Sequence, residues 1–128
     1  MTVSGRLSPV EREARTILET EGYRVTPMRP CFVSRYKPVN LMAMRMPDEL
    51  IYIKLRQTAR LPDDPAALAE FCRDDSRLLR TLFPLDTEVF RLKKEIWVRP
   101  LSGGFCCFEI LPDGMHAVTH DRSHKSTH

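Results

Sequence analysis

The chain has 128 residues, 42% of them hydrophobic and 29% charged, enough for one compact domain with one core and too few for two ordinary ones. Ten prolines and five glycines spread among periodic apolar segments exclude a collagen-like or disordered chain, and no apolar run approaches the roughly 18 to 20 residues of a membrane-spanning helix. The net charge of +3 is small but uneven: residues 1–62 hold 11 Lys or Arg against 6 Asp or Glu, residues 63–128 hold 9 against 11.

The opening MTVSGRLSPV has no charged start followed by an apolar stretch, so a cytoplasmic protein is expected. Ser8-Pro9-Val10-Glu11 reads as a helix start, with a serine cap, proline at the first helical position and Glu11 completing a capping box. Val10, Ala14, Ile17 and Leu18 share one face and Gly22 supplies a left-handed stop, which predicts a helix over about Pro9 to Glu21. From Gly22 to Pro47 come five basic residues, Arg24, Arg29, Arg35, Lys37 and Arg45, and no acidic one. Such a stretch suits a phosphate backbone, and an ordinary solvated face would look the same.

VNLMAMRM and ELIYIKL, divided at Pro47-Asp48, read as a hairpin. Alternation puts Val39, Leu41 and Ala43 opposite to Asn40, Met42 and Met44 on the first strand; on the second, Ile51, Ile53 and Leu55 oppose Tyr52, Lys54 and Arg56. RQTARLPDD is a loop feeding a second helix over about Pro65 to Leu82, whose stripe is Leu68, Phe71, Cys72, Leu79 and Leu82. Asp75 projects into that stripe. It either pairs with a basic residue across the interface, is exposed by a local turn of the helix, or serves a site. EVFRLKK, EIWVRPL and GFCCFEIL are three further strand candidates, and residues 116–128 show no core pattern, leaving 1–115 as the domain.

Cys31, Cys72, Cys106 and Cys107 form no CxxC pair and read as buried or half-buried free thiols. His116, His120, His124 and His128 recur every four residues, which would align them for a transition metal on a helix, but Val118, Thr119, Ser123 and Thr127 form helices poorly and a frayed tail is expected. GxxxxGK[ST], GxGxxG and GxSxG are absent, and no core histidine is present to act as base for a nucleophile. A helical carboxylate, Glu11, remains, with the hairpin bearing Asn40, Tyr52 and Lys54.

Glu11 on the first helix, Pro38-Val39-Asn40 opening a strand and Tyr52-Ile53-Lys54 ending the next give a succession that resembles the PD-(D/E)XK nuclease superfamily, especially the archaeal Holliday junction resolvases, over about residues 8 to 99. The resemblance implies a restriction-endonuclease-like α/β sandwich, a central mixed sheet flanked by helices, and a homodimer. It also makes Glu11, Asn40, Tyr52 and Lys54 the catalytic positions. Two of them depart from the family: Asn40 stands in place of its metal-binding aspartate and Tyr52 in place of the acidic residue of its triplet. An amide is a neutral ligand and a phenol with a pKa near ~10 stays protonated, whereas this chemistry needs magnesium held by convergent anionic oxygens.

A nuclease-fold protein without cleavage, and so without a cofactor, is therefore expected. It would bind DNA or another nucleic acid through Arg35, Lys37, Arg45, Lys54 and Arg56, in a salt-sensitive way. Two alternatives differ in class. One is an active magnesium-dependent endonuclease whose ligands have moved to Asp75 and Glu11, since Asp48 and Glu49 sit several residues from the motif end of the hairpin. The other is an interaction scaffold presenting Met42, Met44, Met46 and nearby Met28, together with FCCFEIL.

Overall fold

A computed structural model describes residues 7–28, 39–82 and 91–119. The first helix, α1 (Pro9–Thr20), starts where the cap signal placed it: Ser8 Oγ accepts the Glu11 N–H at 3.2 Å, and the Glu11 carboxylate accepts the Ser8 N–H at 2.9 Å. It ends through Gly22, at φ 95°, whose N–H reaches the Glu19 carbonyl while Tyr23 N–H reaches that of Leu18. A residue with a Cβ adopts that φ only under strain.

Three strands follow, β1 (Arg24–Pro27), β2 (Leu41–Arg45) and β3 (Glu49–Thr58), each antiparallel to the last. Two helices, α2 (Pro65–Phe71) and α3 (Arg73–Leu82), carry the chain over to β4 (Arg91–Pro100), which lies parallel to β3 in a ten-residue register from Glu49 opposite Arg91 to Thr58 opposite Pro100. Then β5 (Cys106–Leu111) and β6 (Gly114–Val118) complete an antiparallel meander. The result is one mixed α/β sheet in the order β1 to β6. A parallel pair needs a crossover, and the two helices supply it.

Alternation sorts the strand residues onto two faces. On one face Ala14 and Leu18 of α1 pack with Tyr23, Leu41, Ala43, Ile51, Ile53, Leu55, Trp97 and Cys107; the other face packs Ile96, Val98 and Ile110 with Cys72 and Leu79 of the crossover helices. No described helix is long and apolar enough to cross a membrane.

Four local expectations need correction. The helix expected over Pro65 to Leu82 is broken at Cys72, whose φ of −99° and ψ of 7° leave the helical region although its N–H still bonds Leu68. Apolar Leu68, Phe71 and Cys72 lead up to that point and Leu79 follows it on the same side, with no proline or glycine between to mark the kink. RLKK and EIWVRP are a single strand, because every residue from Arg91 on finds a partner in β3. Val39 belongs to the crossover-helix face and not with Leu41 and Ala43, because the chain bends at Asn40 before the ladder begins. And β6 carries the sheet to Val118, which packs on the α1-face core, beyond the expected boundary at 115.

Candidate functional site

Of the four motif positions, the structure joins two. Glu11 is buried in the first turn of α1, at 4% exposure, with one carboxylate oxygen spent on the capping box. Its other oxygen accepts the Asn40 side-chain N–H at 3.0 Å. The Asn40 carbonyl oxygen accepts the Leu55 backbone N–H at 2.8 Å, which also fixes which way the amide points, since only oxygen can receive that bond. The Asn40 backbone is committed as well: its N–H goes to the Ile53 carbonyl at 2.8 Å and its C=O takes the Met28 N–H at 2.9 Å.

The physical cause lies in the end of the ladder. The pairing of β2 with β3 ends with Leu41 opposite Ile53, so beyond it the Leu55 N–H meets a side-chain acceptor in place of a backbone one. Asn40 substitutes for the next residue of the strand, and its free amide hydrogen ties that substitute to α1. One side chain thus closes helix, β2 and β3 together.

Tyr52 and Lys54 leave β3 on the opposite face. Tyr52 packs half-buried against the core under the crossover helices, and Lys54, two residues on, is 8% exposed on that same side. Arg56 continues the row. Its guanidinium lies over the Phe71 ring at 4.1 Å and bonds both the Phe71 carbonyl and the Asp75 carboxylate. The buried carboxylate in the helix stripe therefore has the first of its three explanations, a cation across the interface. Asp75 and Glu11 stand on opposite sides of the sheet, so the relocated metal pair is not assembled, and among the described residues no group of three His, Cys, Asp or Glu side chains could hold a metal ion.

The expected basic face fares differently at each residue. Arg35 and Lys37 lie outside the described residues. Arg45 sits at the β2–β3 turn on the α1 side, stacked on Tyr23 at 4.4 Å and paired with Glu49 at 2.8 Å. Arg56 is seven residues along β3 from the partner of Arg45, about 23 Å at 3.3 Å per residue, and on the other face. Arg45, Lys54 and Arg56 do not form one patch. The exposed apolar residues are also dispersed, with Met46 at the β2–β3 turn and Leu101 beyond the far end of β4.

Sequence reasoning missed a polar cluster below the C-terminus of α1. Glu49, 7% exposed, accepts the Tyr23 hydroxyl at 2.7 Å and the Arg45 guanidinium at 2.9 Å, with Lys93 at 3.9 Å. Burial pushes the Glu49 carboxyl up, but the Tyr23 and Arg45 hydrogen bonds and the nearby cations outweigh it, and the carboxyl lies below its ordinary range. Burial and the same carboxylate push the Tyr23 phenol far up. Glu95, 3% exposed, takes the Trp97 indole N–H at 2.8 Å. Tyr23, Arg45, Glu49, Lys93 and Glu95, with Glu21 and Val118, line a cleft of about 360 Å³. The available signal was the pair of opposite charges, Arg45 and Glu49, flanking the hairpin turn, which places them directly across the ladder.

Among the described residues neither the thiols nor His116 add a site, and Cys31 lies outside them. Burial pushes the Cys72 thiol up to about 11 and Cys107 further, so both stay protonated. His116 is on β6, exposed, with its ring 2.9 Å from Asp113 of the same hairpin, and the three histidines after it lie outside the described residues. No family model matches the chain, and no curated protein matches it.

Proposed function

We propose that this is a nuclease-fold protein of the PD-(D/E)XK kind that holds nucleic acid without hydrolysing it. The observation that carries the proposal is the saturation of Asn40. A catalytic magnesium would have to sit between Glu11 and the residue at position 40 and draw on oxygens of both. Here the Asn40 amide itself donates to Glu11, and its one oxygen is spent on the Leu55 N–H. A hydrogen-bond donor occupies the position where the cation would be gripped, so the helix is tied to the sheet by an amide where an active enzyme would use a metal.

Element order supports the fold reading: a helix bearing Glu11, strands bearing Asn40 and then Lys54, a helical crossover and a parallel strand follow one another as the resemblance implies. Nucleic-acid binding is supported by the acid-free run from Gly22 to Pro47, whose described members Arg24 and Arg45 are both exposed.

The test has two parts. Single-stranded, duplex and four-way-junction DNA are incubated with magnesium or manganese, and binding is read by gel shift across a salt series on the same samples; no cleavage and salt-sensitive binding are expected. Cleavage by the parent chain would overturn the non-catalytic reading, and no binding at low salt would overturn the ligand. In parallel, Asn40→Asp restores a carboxylate beside Glu11. That variant should melt higher when magnesium or manganese is added, while the parent should not respond.

A further inference from the structure

We infer that the cleft between the start of α1 and the far ends of β3 and β4 is a pocket for an unpaired nucleobase, guanine above the others, read along its Watson–Crick edge. The inference deepens the nucleic-acid reading by naming the state of the strand that is held, and it rests on that reading only for the source of the base. Val10 and Glu13 of α1, Gln57 of β3, and Arg99, Pro100 and Leu101 at the end of β4 line the cleft, whose volume is about 500 Å³. That lies within the range of pockets that enclose small ligands.

Arg99 and Glu13 carry the argument. Arg99 Nε donates to Glu13 Oε1 at 3.0 Å, and its Nη1 donates to the carbonyls of Pro100 at 2.8 Å and Gly103 at 2.6 Å. The guanidinium is thereby fixed by the helix on one side and by the loop after β4 on the other. Arginine and a carboxylate commonly make two parallel bonds. Here they make one: among the described residues Nη2 keeps both its hydrogens and Glu13 Oε2 keeps its lone pairs. An unspent donor and an unspent acceptor flank a single bond, already held in place before any ligand arrives.

The charges of the pair cancel, and no other ionisable side chain lines the cleft, so it is no seat for a bare phosphate. A fitting ligand brings an acceptor beside a donor, together with apolar faces for Val10, Pro100 and exposed Leu101. A nucleobase has both, a polar edge around a flat ring. Guanine answers the pair most fully: O6 accepts from Nη2, while N1–H and the N2 amino group both donate toward Oε2. Adenine and cytosine offer the carboxylate one amino group, and uracil one ring N–H. Gln57, opposite Arg99 in the β3–β4 register, donates and accepts alike and so adds contact without choosing. In a duplex these edge atoms are already paired, so the pocket takes the base of a single strand or of a free nucleotide.

NMR of the isotope-labelled chain tests it through the Val10 and Leu101 amide and Arg99 side-chain signals. GMP should move them in a saturable way and bind about fivefold or more tighter than AMP, CMP or UMP; inorganic phosphate should leave them in place. Glu13→Gln, at a half-exposed position, should weaken GMP by about tenfold with little change in melting, and Arg15→Gln, exposed on the same helix, should change nothing. A single-stranded oligonucleotide with one guanine should move the same signals, and its duplex should not. If GMP moves them but no DNA binds at any salt, the pocket stands as one for free nucleotides and the nucleic-acid reading falls. If DNA binds by gel shift while neither GMP nor the oligonucleotide moves them, that reading stands and this inference is overturned. Four nucleotides that bind alike, or a Glu13→Gln chain that binds GMP as the parent does, overturn it as well.

Discussion

The two faces of the sheet solve the same problem by different means. Each must bury a carboxylate carried by a helix. On the α1 face Glu11 is held in direction by two neutral donors, the Ser8 N–H and the Asn40 amide; on the opposite face Asp75 takes a cation, Arg56, itself stacked on Phe71. Neutral donors fix direction and are indifferent to salt. An ion pair is stronger in a dry setting but is screened wherever water reaches it, and the Arg56 side chain is 31% exposed while that of Asp75 is 5% exposed. The difference shows that a motif resembling a catalytic constellation can be distributed over two separate structural locks.

The comparison breaks most visibly at Asn40. Asn40→Ala strands the Leu55 N–H and removes the tie to Glu11, at an expected cost of about 2 to 4 kcal/mol in denaturant unfolding, unchanged between low and high salt. Asp75→Ala should cost less, about 1 to 3 kcal/mol, because partial exposure discounts the pair. That penalty should shrink as salt is raised. If the two penalties respond to salt alike, the distinction between the faces fails.

The Glu49 cluster sharpens it through pH. Its folded carboxyl lies below the ordinary value of 4.5, so the unfolded chain takes up the proton first. The stability it contributes is complete above 4.5 and is lost as the pH falls through the lower folded value. Glu49→Gln should cost about 1 kcal/mol at neutral pH, and its difference from the parent should narrow on acidification below that point. The smallest effect concerns the thiols: in the native protein half-buried Cys106 should react with a thiol reagent well before buried Cys72 and Cys107, with no change in stability until the reagent is added.

The legible parts of this molecule are those written in local chemistry. Ser8, Pro9 and Glu11 announce the start of α1 and Gly22 its end, and both stand as read. The β2–β3 hairpin follows from alternation around Pro47-Asp48. What escaped depends on where strands stop pairing. Asn40 was placed by alternation on the face away from Leu41, yet one bend before the ladder turns its amide toward α1 and sends Val39 to the other side. The break at Cys72 is marked by no proline or glycine. Glu49 and Glu95 fall in phase with Ile51 and Trp97 on the α1 face, and it takes the assembled fold to bring the donors Tyr23, Arg45 and Trp97 onto their carboxylates.

The ten-residue parallel pairing of β3 and β4 has one more consequence. Each of these strands belongs first to its own meander, β1–β2–β3 and β4–β5–β6, and within the sheet the two join along that seam. Everything antiparallel is built from neighbours in sequence, while the seam must wait for the chain to fold back through α2 and α3. Cutting the polypeptide in the largely exposed stretch 59–64 should therefore divide it into two pieces that reassemble when mixed, each supplying one lip of the same ten-rung join.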